Sequence, residues 1–448
     1  MKSGRRKFLQ SAAQIATGIS ISAVPEHVFA TNSPKKAIRP LFSANETIRV
    51  GLIGCNNMGW HNLNSMLKHE GVECIALCDV DSNVLDKRAA ELEEKTSKKA
   101  SLYRDYRKLL DNKDVDAVII GTPDHWHCLQ MIHACEAGKD VYVEKPIANS
   151  IEECNLMVAA AQRYQRVVQV GQWQRSDPHW EHALEYVPSG KLGKVRSVKS
   201  WAYTSYGRSF PVKANESVPA GVDYEMWLGP APHRAFNPNR FHGSFRYFWD
   251  YAGGLMTDWG VHMIDMALAG MQVTTPLSVS ATGGKYADPD SAAETPDTLQ
   301  VLYDFGNFSM QWEQTLGSAV GPYNRNQPGV AFIGTQGTLV IDRSQWEILP
   351  EEEDGKFMTE RLPVQKSQGS GLDLHTLNFL ECIKSRQPTR CTIDMGRTAA
   401  VNAQLGNIAY RSGKKVFWDE KKNMVLHDAE IHKMTKAHYR TPWKLPKV

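Results

Sequence analysis

The chain has 448 residues, 42% hydrophobic and 23% charged, which excludes a largely disordered protein and leaves room for two or three domains. Its formal net charge of +3 comes entirely from the first thirty residues, where Lys2, Arg5, Arg6 and Lys7 face Glu26 alone. The remainder is neutral and has no dense Lys/Arg run, so nucleic acid is not expected as a partner.

Arg5-Arg6 precede a stretch from Phe8 to Pro25 that is free of charge but diluted by Ser, Thr, Gln and Gly. Val28-Phe29-Ala30 offers a small-residue cleavage site. Together these predict a twin-arginine export signal over residues 1–30, with the export machinery as a partner and the periplasm as destination. A basic tail or an uncleaved anchor is the plainer alternative. Residues 31–46 are polar, carry two prolines and no period, and read as a linker. No later stretch is long and apolar enough to span a bilayer, so stable membrane insertion is not expected.

A regular rhythm follows. Ile48 to Gly54 is a short apolar strand and Met58 to His69 a helix. Val72 to Asp79 is a second strand, and Ser82 to Thr96 an amphipathic helix. Val115 to Thr122 is a near-continuous apolar strand, followed by a helix from Leu129 to Gly138. Val141 to Val143 is a strand, Ile151 to Tyr164 a helix, and Val167 to Gly171 the closing strand. Strands and helices alternating at this spacing predict a doubly wound parallel sheet, a Rossmann-type α/β fold, over residues 47–171.

Beyond about residue 190 the pattern changes. Val195 to Tyr203 reads as a strand. Thr298 to Phe305 and Phe308 to Leu316 flank Gly306-Asn307, a hairpin signal. A second turn at Thr335-Gln336-Gly337 separates Phe332-Ile333-Gly334 from Thr338 to Ile341, and helices are expected near His375 to Lys384 and Met395 to Ser412. Residues 172–448 therefore read as an α+β domain with a large, mostly antiparallel sheet. The eight cysteines lie mainly within apolar strand or helix patterns, with no C-x-x-C pair, and read as buried thiols.

The turn after the first strand is Gly54-Cys55-Asn56-Asn57-Met58-Gly59, the dinucleotide G-x-G-x-x-G with Asn56 in place of the second glycine. The first glycine permits the tight turn, and the third permits close packing of helix on strand. The middle position brings backbone to the pyrophosphate at the helix N-terminus. Asn tolerates positive φ better than most residues, so the substitution is admissible at Asn56. Asp79 ends the second strand, where an acid can bind both ribose hydroxyls and repel a 2′-phosphate. No arginine follows it in Val80-Asp81-Ser82-Asn83, so NAD is expected over NADP.

Four segments then carry a resemblance. Gly51-Leu52-Ile53-Gly54, Thr122-Pro123-Asp124-His125-Trp126-His127, the run from Ala137 to Glu144-Lys145-Pro146, and the run from Gly253 through Asp258 to His262 resemble the Gfo/Idh/MocA oxidoreductases. The segment Asp223 to Pro230 looks like the exported bacterial subgroup. The resemblance implies a Rossmann domain, a C-terminal α/β domain that carries the substrate site, and Lys145, Asp258 and His262 as catalytic set. Oxidising a secondary alcohol needs a proton acceptor, which suits His262, with Asp258 one helical turn earlier on the same face. Lys145 can steady a developing alkoxide, or be the base itself; the residues alone leave that open.

The resemblance also places Thr122, Pro123, His127 and Glu144 at the cofactor, beside Gly54, Asn56, Asn57, Met58, Gly59, Asp79 and Lys145. It puts the segment Gly171 to Arg175 near nicotinamide and substrate, with Gln174 and Arg175 as cofactor contacts and Trp173, Arg175 and Trp259 as substrate contacts. Trp126, Trp173 and Trp259, and the aromatic group Tyr247, Phe248, Trp249 and Tyr251, can stack on a sugar or simply pack. A metal held by Asp258 and His262, or by His125 and His127, lacks a third ligand at suitable spacing, so none is expected. Three functions remain in view. One is NAD-dependent oxidation of a ring hydroxyl of a sugar, glycoside or cyclitol. Another is an NAD-dependent glycosidase working by transient ring oxidation, elimination and hydration. The last is a non-catalytic sugar or nucleotide binder. The oligomeric state is open, a homo-oligomer included.

Overall fold

The computed structural model describes residues 47–207 and 209–448; the export signal and the linker expected before Thr47 lie outside them. The first sheet has six parallel strands in the order β3-β2-β1-β4-β5-β6: β1 Ile48–Ile53, β2 Val72–Cys78, β3 Ser101–Tyr103, β4 Ala117–Ile120, β5 Asp140–Val143 and β6 Val168–Val170. All four residues of β4 and of β5 are buried, as expected of strands covered by helices on both faces. The strand order reverses between β1 and β4. There Ile53 pairs with Cys78 on one side and Ile120 on the other. The residues that follow, Gly54, Asp79 and Gly121, therefore gather at one edge, where open α/β sheets bind ligands.

The expected strands and helices appear with small shifts in their ends. The helix after β4 is the exception, since it spans Asp124–Glu136 and takes in His125, Trp126 and His127. The sequence reading missed β3 and the helix Tyr106–Leu110.

The second sheet has ten strands, and its hairpins fall at the expected turns. Its strands are β7 Ser197–Thr204, β8 Ser278–Gly284, β9 Thr298–Asp304, β10 Ser309–Leu316, β11 Gly329–Ile333, β12 Gly337–Asp342 and β13 Gln345–Pro350. A small hairpin, β14 Glu352–Glu353 and β15 Lys356–Phe357, stands apart, and β16 Gln365–Lys366, β17 Val416–Asp419 and β18 Met424–Leu426 complete the set. Pairing is antiparallel except between β10 and β7. Strand β9 alternates cleanly: Leu299, Val301 and Tyr303 are buried and Leu302 is exposed. Its buried face meets the helix Ile393–Ser412, where the Tyr303 hydroxyl donates to the Asn402 carbonyl at 3.0 Å, and Met263, Ile264 and Ala267 of the helix Gly260–Met271 join the same core. All eight cysteines are buried free thiols.

The chain crosses back over its own first sheet. The helix Gly371–Ser385 adds Phe379, Leu380 and Ile383 to the core under β1 and β2. The helix Ile393–Ser412 contributes Ile393 and Ala400 to the core on the other face. The last residues follow: Tyr439 donates to Glu153 Oε1 at 2.6 Å, Arg440 to the Gly229 carbonyl at 2.9 Å, and Trp443 meets Trp126 edge-on at 4.9 Å.

Candidate active site

The turn after β1 is built by close backbone contact. Gly54 has φ +84°, and a Cβ there would lie 2.7 Å from the Gly121 carbonyl carbon. A Cβ on Gly59 would lie 2.1 Å from the Gly54 carbonyl oxygen, and one on Gly121 2.5 Å from Gly59 Cα. Gly59 thus serves packing and does not line the cleft, whereas Gly54, Asn56, Asn57 and Met58 do line it. Positive φ falls on Asn57 (+37°), not on Asn56, which has φ −96° and caps the helix Asn57–Met66 with its own side chain. Asn56 is admissible there because the substituted position is extended and needs a cap, which Asn provides.

Asp79 lines the same cleft. Its carboxylate accepts from Cys55 N at 2.8 Å and Asp81 N at 3.0 Å, while burial pushes its pKa up. Arg104 also lines this cleft and donates to the Val80 and Gly221 carbonyls. The sequence reading found no arginine beside Asp79 because Arg104 arrives directly after β3, a strand it did not see. Thr122, Pro123 and His127 close the floor. Both His127 ring nitrogens lie near carbonyl oxygens, Pro146 at 2.7 Å and Thr122 at 2.8 Å, and burial pushes the imidazole down to about 4. A neutral ring donates to one of these, so His127 ties the end of β4 to the Glu144-Lys145-Pro146 segment. Asp124, at the first turn of the same helix, is pushed up to about 7 by burial, against the pull of Arg246 and Lys145. Nicotinamide dinucleotide fits this cleft. Three glycines let backbone approach backbone, a helix N-terminus faces in, and an acid sits at the end of β2.

The cleft leads into a second pocket holding Lys145, Asp258 and His262. Lys145 Nζ donates to Asp258 Oδ1 at 2.6 Å and to the Asp258 carbonyl at 3.1 Å. Arg246 lies 3.3 Å from the same carboxylate. Burial alone would raise the Asp258 pKa, but Lys145 and Arg246 outweigh it and hold the group well below the usual carboxylate range. His262 is buried and its pKa is pushed well down, by burial first and then by Lys145 and Arg343, so the ring is neutral. Its Nδ1 is buried without a hydrogen-bond partner. Asp258 and His262 do not share one helix: Gly254–Asp258 and Gly260–Met271 meet at Trp259, and both residues still reach one pocket. Glu144 lines both pockets, is raised by burial, and accepts from Asn62 at 2.8 Å. Gly171 is small because a Cβ would lie 2.6 Å from Glu144 Oε1.

Trp173 and Trp259 line the substrate-side pocket, as does Tyr247. Trp126 packs instead: it is buried, its indole nitrogen donates to the Trp227 carbonyl, and it faces Trp443. Phe248 and Tyr251 are core, and Trp249 lies under Arg411.

Arg175 and Gln174 are corrections. Arg175 Nε and Nη2 reach the buried Asp265 at 2.8 and 2.6 Å, a bidentate pair that spends the guanidinium inside the protein. Gln174 is buried and lines neither pocket. Residues the sequence reading missed are Arg246, Arg343 and Tyr206, the last accepting from Trp259 Nε1 at 2.5 Å. Arg246 sits in the short 3-10 helix His242–Tyr247, and Tyr206 and Arg343 in bends, with no motif around any of them. Among the described residues, no group of three or more His, Cys, Asp or Glu is placed to hold a metal. No helix among them is long and apolar enough to cross a membrane.

Two family signatures match the chain. One is an oxidoreductase family with an NAD-binding Rossmann fold, over residues 48–172; the other is the C-terminal alpha/beta domain of that oxidoreductase family, over residues 192–308. The chain belongs to the Gfo/Idh/MocA oxidoreductases. NAD is the cofactor of that fold. An alpha-N-acetylgalactosaminidase of Shewanella oneidensis is 33% identical over 172 residues, 36% of this chain and 38% of the relative. A glycosyl hydrolase family 109 protein of Shewanella sp. strain ANA-3 matches to the same extent. The matched segment thus spans well under half of these curated relatives. Among solved structures, the aldose-aldose oxidoreductase of Caulobacter crescentus, complexed with glycerol, superposes with a TM-score of 0.62 at 20% identity, covering 83% of this chain and 100% of that one. A levoglucosan dehydrogenase complexed with NADH gives 0.63 at 19%, covering 83% and 99%. At such identities the likeness is one of fold, and this Gfo/Idh/MocA member shares it along most of its length.

Proposed function

We propose that the protein oxidises a ring hydroxyl of a sugar, glycoside or cyclitol to the carbonyl with a tightly held NAD, whose hydride then leaves to a second, sugar-like carbonyl. The observation that carries this is the Lys145–Asp258 pair beside neutral His262, at the point where the dinucleotide cleft opens into a second pocket. Bound in the cleft, NAD supplies the hydride acceptor. The chain's own groups do the rest. Lys145 Nζ, fixed from two sides by Asp258, donates to the hydroxyl oxygen and stabilises the alkoxide that forms. His262, neutral and with no hydrogen bond on its buried Nδ1, accepts the hydroxyl proton. Trp173 and Trp259 line the same pocket and give it indole walls for the ring to pack on.

The curated relatives favour a second reading, in which the same oxidation is transient and the net result is glycoside hydrolysis. One incubation separates the two: accumulation of reduced nicotinamide or an oxidised sugar supports the first, and aglycone release with no net redox change supports the second. Lack of either product across a sugar and aryl-glycoside panel overturns both. Export through the twin-arginine route, cleavage near Ala30 and residence in the periplasm are part of the proposal and rest on Arg5, Arg6 and the weakly apolar stretch after them.

A further inference from the structure

Among the described residues, Arg343 forms no ion pair, and Asp258 acts on its charge only from across the pocket. Arg343 occupies the turn between β12 and β13 and lines the pocket that holds Lys145, Asp258 and His262. Its guanidinium lies 4.5 Å from the Trp173 ring centre and 4.3 Å from that of Trp259. Its Nε is buried without a hydrogen-bond partner. The other cations of the pocket, Lys145 and Arg246, share one carboxylate, Asp258, at 2.6 and 3.3 Å. Glu144, the remaining acid there, is engaged by Asn62 and by the Lys145 backbone amide. Arg343 is therefore the pocket cation that, among the described residues, has no carboxylate in contact.

The turn that presents it is firmly built. Asp342 Oδ1 accepts from Ser344 N at 2.7 Å and Gln345 N at 3.1 Å, and the other oxygen meets buried Arg325 at 3.3 Å. His179 Nε2 lies 2.9 Å from the Asp342 carbonyl oxygen. Burial lowers the Arg343 pKa to about 10, a measure of how poorly the site solvates it. Stacking between two indoles offsets part of that cost, but it leaves the in-plane N–H donors unused. A guanidinium that lines the substrate-side pocket with its Nε donor unpaired matches a planar or tetrahedral oxyanion.

We infer that the sugar bound here carries an oxyanion, a uronic acid carboxylate or a sulfate ester, and that Arg343 selects it. This rests on the sugar reading above. The test is calorimetric titration of the purified full-length protein with matched methyl glycosides, each as neutral hexoside, uronide and 6-sulfate, in gluco, galacto and manno configurations. At least one charged sugar should bind about 10–100-fold tighter than its neutral twin. A winning uronide assigns the carboxylate, and a winning sulfate ester assigns sulfate. In Arg343→Gln the ratio of charged to neutral affinity should fall to near one, and Arg343→Lys should keep part of it. NAD titration of each variant reports that the fold is intact. The inference is overturned if no charged sugar outbinds its neutral twin, or if the ratio survives in Arg343→Gln. Failure of the parent to bind NAD would instead remove the redox reading, and leaves the charge ratio readable.

Discussion

Lys145 and Asp258 are joined twice, through the Asp258 carboxylate at 2.6 Å and its backbone carbonyl at 3.1 Å. The amine is thereby aimed by a residue that sits where one helix ends and another begins. Lys145→Ala and His262→Ala should each lower kcat by about 10²–10⁴ while NAD affinity changes little. Asp258→Asn should also lower kcat, since it weakens the hold on the amine. Steady-state kinetics beside NAD calorimetry make the comparison, and near-parental kcat in Lys145→Ala would remove that residue from the mechanism.

Asp79 should set the choice of dinucleotide. Its carboxylate stands at the end of β2 and disfavours a 2′-phosphate, while Arg104 is already occupied with two carbonyls. The parent should bind NAD more tightly than NADP, and Asp79→Ala should weaken NAD and narrow the gap. Gly59→Ala should abolish binding of both, because its Cβ cannot clear the Gly54 carbonyl. Equal affinities of the parent for NAD and NADP would refute the assignment.

His127 gives a pH signature. Its folded pKa is about 4 and the unfolded value about 6.5, so the unfolded chain takes up the proton first as pH falls. Its contribution is whole above pH 6.5 and is lost as pH drops toward 4, at up to about 1.4 kcal/mol per unit. The stability difference between parent and His127→Gln, from urea unfolding, should shrink over that window and level off below it. A difference that stays constant from pH 7.5 to about 4.5 would show that His127 does not stay neutral on folding.

Compartment and cofactor are linked. Changing Arg5 and Arg6 to Lys should leave the precursor in the cytoplasm, as fractionation would show. The parent should carry nicotinamide through gel filtration, because an exported enzyme has no pool to refill it and tight binding means slow release. Protein that elutes empty and turns over only with millimolar NAD would be an ordinary dissociable dehydrogenase.

The first sheet was readable because its strands are apolar runs and its helices end at punctuating residues. Strand β3 was not, since Ser101 and Leu102 are exposed at the sheet edge and leave no apolar signature. Lys145, Asp258 and His262 stood in recognisable segments. Arg246 and Arg343 stood in none, and only folding brings their turns to the pocket. Arg175 misled because its partner, Asp265, lies on the helix of His262, a pairing no local pattern reveals.

The returning tail has a meaning for the order of events in the cell. A ribosome that has released residues 47–171 has delivered every strand of the nucleotide sheet, but not Phe379, Ile383, Tyr439 or Trp443, which pack against it. The domain made first is thus finished last. The cores under its sheet are filled only when synthesis is nearly complete, so the packing that supports the cleft belongs to the whole chain.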